Sequence, residues 1–240
     1  MADLSFISII ASFLLLCVAT CSGWAITHKI AGPTAANEFL VLFVCLVLSL
    51  LLVQLFLWSA SRKRLFYQIV YRATFPFTLM SFFLGFLLPI LWTPGIGRHV
   101  KISIAIFGVV VSLWNFFGGI SDFKTKWSLK GDKLLLKNCK VGYSEIGWGK
   151  MMITLGVAKY GQLISGLNGT SNGALSIILL ASMLVGLNLR NVFPEFSMLA
   201  WGMPCAVGAA YAMFIFGSNL GELLKVREIE VTKRIHIASE

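Results

Sequence analysis

From Leu4 to Ile26 the chain runs 23 residues without Asp, Glu, Lys or Arg, and that feature removes most of the folds open to a chain of this size. A hydrocarbon core about 30 Å thick needs roughly 20 apolar residues in a helix, because a segment in lipid must satisfy its own backbone hydrogen bonds. The same habit returns at Phe39–Ala60, Ala73–Trp92, Lys101–Ile120, Gly173–Leu189 and Met198–Leu220. Gly173–Leu189, at 17 residues, covers only about 26 Å and must borrow a turn from its flanks.

Charged residues make up 12% of the chain and the mean hydropathy is +0.84, whereas a soluble domain carries about 25% charged residues. The expectation is an all-α polytopic membrane protein with six transmembrane helices, one integral membrane domain over residues 1–240 and a tail at 221–240. Met1-Ala2-Asp3 gives the first span no basic leader, and its apolar run exceeds the h-region of a secretory signal, so it reads as a retained anchor.

The net charge of +10 would suit nucleic acid if it formed a patch among stacking aromatics, but the basic residues gather in the connections between spans. Six spans with both termini inside place 16 of the 20 Lys and Arg on one side and leave Lys29, Arg98, Lys101 and Arg190 on the other. Met151–Leu167 is apolar enough to offer a seventh span. That arrangement moves the tail outside, weakens the charge asymmetry and strands Lys159 in the membrane, where a centred Lys costs roughly 2.5–3.5 kcal/mol. The orientation rule therefore favours six, in an inner membrane of bacterial type with N and C termini cytoplasmic. Lys159 becomes a functional residue only if the seventh span exists.

Between the fourth and fifth spans, residues 121–172 form a basic cytoplasmic insertion. Trp127 to Leu136 reads as a strand, a Gly131-Asp132 turn and a second strand, with Gly142 to Ile146 opening a third. Over about 20 residues, Trp127 to Ile146 resembles the opening strands of bacterial pleckstrin-homology-like domains, a stretch too short to assign a family. Lys124, Lys126, Lys130, Lys133, Lys137 and Lys140 give this insertion a dense positive field. Beside an anionic leaflet each is worth about 1 kcal/mol, so the patch serves topology and lipid contact or docks an acidic partner.

The span interiors carry no Asp, Glu, Lys, Arg or His, and their polar groups are Gln54, Asn115, Asn188, Asn219 and hydroxyls. Cys17 and Cys21 stand at helical spacing without other ligands nearby, His28 and His99 fall at span edges, and no HExxH, GxSxG or phosphate-loop pattern occurs. Neither metal nor cofactor is expected. Gly202, Ala206 and Ala210 recur every four residues, with Gly217 and Gly221 beyond them, a small-residue face that lets helix backbones approach.

These features point to a non-enzymatic protein acting through protein–protein contacts, as an assembly component, regulator, or immunity or exclusion factor. Its partners would be the bilayer and other membrane subunits or itself, not nucleic acid. The alternative is a transporter or channel subunit for a neutral or weakly polar solute, with the span amides and prolines along its path.

Overall fold

In a computed structural model, described for residues 2–60, 65–140, 145–146, 148–156, 163–167 and 169–233, the chain is helical. The helices are α1 (Ala2–Ala60), α2 (Leu65–Leu87), α3 (Arg98–Asn138), α4 (Trp148–Leu155), α5 (Gly169–Leu189) and α6 (Pro194–Lys233), with a 3₁₀ turn over Leu88–Trp92. All but α4 are long and apolar enough to cross a membrane, five candidate spans in number.

The first helix is not one rod. Gly32 breaks it with φ 88° and ψ 176°, a left-handed φ that glycine adopts without the clash a Cβ would bring, and Pro33 then restarts the helix at a position where its missing N–H is not needed. Gln54 Nε2 donates to Ser12 Oγ at 3.3 Å across 42 residues, a separation that would be about 63 Å in a straight helix. The two arms therefore lie back to back, with Leu16 and Ala19 packed against Phe39, Phe43 and Val47. Gly23 admits the Phe39 ring.

Three of the long helices gather on α6. It packs on α2, α3 and α5, while α1 packs on α2 and the 3₁₀ turn. Half of the most apolar stretch of α6 is buried, against 6% for α3 and for α5, so the last helix is the axis and its neighbours turn apolar faces outward. Where α3 crosses α6, a Cβ on Gly119 would strike the Phe214 carbonyl and one on Gly217 the Phe116 carbonyl. Absent side chains at these two positions let the helices touch backbone to backbone.

The structure corrects the β-hairpin. Trp127 to Leu136 lies within α3, and Gly131 is helical; it is small because the Trp127 indole lies where its Cβ would be. The resemblance to pleckstrin-homology-like strands falls with it. Among the described residues, extended pairing is confined to Cys139–Lys140 with Glu145–Ile146. Met151–Leu167 contributes no spanning helix there either: the eight-residue α4 ends at Leu155, about 12 Å of helix. Lys159 lies outside the described residues.

Candidate functional site

Beyond their apolar stretches α3 and α6 continue side by side, and a second core forms around them. Leu65 and Ile69 of α2, Phe123, Trp127 and Leu135 of α3, Trp148, Met151, Met152 and Leu155 of α4, and Val226 and Ile229 of α6 are buried together. Phe123 stacks on Trp127 with centroids 5.9 Å apart, and Trp127 on Trp148 at 5.8 Å. Apolar residues of α4 at positions 148, 151, 152 and 155 line one helical face, which is why so short a helix can dock.

At the centre stands Glu222, a carboxylate only 2% exposed. A buried charge is tolerable when paired and hydrogen-bonded. Trp148 Nε1 donates to Glu222 Oε1 at 2.6 Å, and the Arg72 guanidinium pairs with the same oxygen. One carboxylate thus ties α2, α4 and α6. Sequence reading placed Glu222 in the tail and missed it, because its partners lie 150 and 74 positions away.

The predicted basic residues sit on the outside of this core. Lys126, Lys130, Lys133 and Lys137 follow helical spacing of four, three and four residues, which puts them on one face of α3. Lys126 is held, donating to Asp122 Oδ2 at 2.7 Å and to the Gly156 carbonyl at 3.3 Å. Lys130, Lys133 and Lys137 are exposed, and Lys124 is exposed on the far flank. Lys140 belongs to the short extended pair. Beside the stripe Leu129 and Leu136 are 71% and 68% exposed, two large apolar side chains presented on a helix that already has a packed inner face.

The small-residue face turns inward. Gly202 faces Ile90 and Leu87, Gly217 faces Phe116 and Gly221 faces Phe123, while Ala206 and Ala210 are 2% and 0% exposed. These positions are filled by the chain's own helices.

Three of the four span amides are likewise engaged, although Gln54 Oε1 is buried without a hydrogen-bond partner among the described residues. Gln54 Nε2 also donates to Thr78 Oγ1 at 2.8 Å, and Asn188 Nδ2 bonds the Leu184 carbonyl of its own helix at 2.9 Å. Asn115 donates to the Leu163 carbonyl at 2.7 Å and accepts from the Ser165 N–H at 2.7 Å. Asn172 accepts from the Leu163 N–H at 3.0 Å and donates to the Leu167 carbonyl at 2.9 Å. Non-helical backbone beside lipid requires such partners, and two asparagines supply them to Leu163–Leu167. The role of Asn172 was invisible in a run that reads as a flexible glycine-rich turn.

Among the described residues no three His, Cys, Asp or Glu side chains gather in a metal-binding group, and His28 lies against Trp24 with ring centroids 5.2 Å apart. Compared with known proteins, the chain matches no family model, no curated protein and no solved structure.

Proposed function

We propose that this is a non-enzymatic polytopic membrane protein that works by docking a cytoplasmic partner with an acidic surface onto the lysine face of α3, as an assembly component, regulator or immunity-type factor. The two arms of α1 and the four other long helices make six crossings, with both termini and the α3–α4–α6 core on the cytoplasmic side. The 16-to-4 distribution of basic residues favours that orientation.

The observation that carries this reading is the pairing of exposed lysines with exposed Leu129 and Leu136 on one helix. Counted along α3 from Ile120, Lys130, Lys133 and Lys137 stand about 15, 20 and 26 Å beyond the apolar stretch. Salt screens a leaflet's field within about 8 Å at physiological ionic strength. Orientation counts basic residues within about 15–20 residues of a span end, so these lysines serve topology as well; what topology does not use is the exposed Leu129 and Leu136 beside them, which give a partner apolar area as well as charge. A solute path is less well supported, since Gln54, Asn115 and Asn188 are engaged in internal hydrogen bonds.

A photo-crosslinking residue at Leu129 or Leu136, activated in native membranes, tests the proposal. The expected result is one discrete adduct that disappears in the K130E/K133E/K137E chain and persists in K124E, whose charge lies on the opposite flank. Absence of any adduct, or an adduct indifferent to the triple reversal, refutes the docking role.

A further inference from the structure

At the end opposite the lysines a cavity of about 640 Å³ carries a second chemistry. It is a cleft with α1 and α5 as walls, through Ile26 and Leu187 among others, and with Phe86, Met198 and Trp201 as its floor. The walls do not close on each other, because α5 packs on α6 and α1 on α2 and the 3₁₀ turn. The cleft therefore lies open between the two walls.

Its mouth is cationic. Lys29 and Arg190 line it, are exposed, and have no hydrogen-bond or ion-pair partner among the described residues. Glu195, the carboxylate of the lining, packs over Gly95 where a Cβ would collide with it, and two cations against one carboxylate leave the lining with a net positive charge. Arg98, at the same end, is also exposed without a partner among the described residues but lies outside the cleft, and Lys101 Nζ donates to the Leu91 carbonyl at 2.8 Å beside a separate apolar groove. Trp24, Trp92 and Trp201 fall at the same end, the depth at which indoles meet headgroups.

We infer that this cleft binds an anionic phospholipid, with its phosphate between Lys29 and Arg190 and an acyl chain along the floor of Phe86, Met198 and Trp201. A small soluble anion would make no use of the apolar floor. A neutral lipid would leave two cations unmatched at the rim of a hydrocarbon-filled space. The inference is independent of the partner docked at the lysine face, since it rests on residues at the other end of the bundle.

The test uses the full chain in mild detergent, with lipid retention read by native mass spectrometry and folding checked for each variant by circular dichroism. Phosphatidylglycerol should be retained in preference to phosphatidylcholine of the same chains. K29A/R190A should weaken that retention about 30-fold, from about fivefold per basic group, whereas R98A/K101A, at the same end but outside the cleft, should not. A25W fills the cleft without altering charge and should also abolish retention. Equal retention of the two lipids, undiminished retention in A25W, or comparable binding of free glycerol 3-phosphate would each overturn the lipid assignment.

Discussion

At the basic end, four helices converge on Trp148 and Glu222 and every charge that enters the core is paired there. At the opposite end α1 and α5 stand apart around a cavity, and two cations at its mouth have no partner among the described residues. The contrast separates two uses of charge in one bundle. Arg72 and Glu222 stabilise an arrangement of helices, so their chemistry is already spent on the fold. Lys29, Arg190 and the exposed lysines of α3 stabilise nothing visible and are free to meet something else. Unequal packing follows the same division, since α6 is gripped by α2, α3 and α5 whereas α5 packs chiefly on α6.

The most direct way to break the comparison is to remove the keystone of the packed end. W148A deletes a buried ring that stacks on Trp127 and leaves Glu222 without its indole donor; large aromatic truncations in a core cost about 3–5 kcal/mol. We expect amide exchange to rise across α4 and the ends of α3 and α6, while the α1 hairpin and the α5–α6 link keep their protection. Uniform loss of protection would mean that the two ends are one cooperative unit.

The next effect sharpens the comparison along the axis. G119A and G217A each drive a methyl group into a backbone carbonyl of the facing helix, an overpacking that costs about 1–3 kcal/mol because backbone cannot swing aside. G186A, toward the open end, would place its methyl 2.9 Å from Ala200 Cβ, 3.0 Å from Trp201 Cδ1 and 3.2 Å from the Ser197 carbonyl, a milder overlap than those at Gly119 and Gly217 and one that a small shift of α5 relieves. Thermal unfolding should rank G119A and G217A well below G186A. If all three melt together, α5 is held as tightly as α3.

Much of the bundle was legible because lipid is an unforgiving solvent: charge-free runs of sufficient length could only be helices. The break between the first two runs was placed in Thr27–Glu38 without a mechanism, and only the φ of Gly32 shows that a single residue makes it. Gly131-Asp132 misled because glycine serves two purposes, a turn and a close approach, and local sequence does not say which; the deciding neighbour was Trp127, four residues earlier on the same helix. The lysine face was legible as charge but not as a face, since helical spacing becomes visible only once α3 is known to continue. Glu222 was illegible in principle. A carboxylate two residues past an apolar stretch looks like the start of a solvated tail until α2 and α4 are folded against it.

The smallest effect concerns the amides, and it asks whether the boundary between the two ends is built or incidental. Asn115 sits inside the apolar stretch of α3, five residues before Ile120, and N115A would orphan the Leu163 carbonyl and the Ser165 N–H together. Unsatisfied groups of this kind cost about 1–2 kcal/mol. Asn188 offers the control: its amide returns to the Leu184 carbonyl of its own helix, a group that helical geometry already serves, so N188A should leave unfolding unchanged. A cysteine at Ser165 should become more reactive to a polar maleimide in the N115A chain and not in N188A. Should both variants behave alike, the amide on α3 is merely tolerated in the span, and the attachment of Leu163–Leu167 must rest on Asn172 and the Trp114 indole, which donates to the Ser165 carbonyl at 3.0 Å.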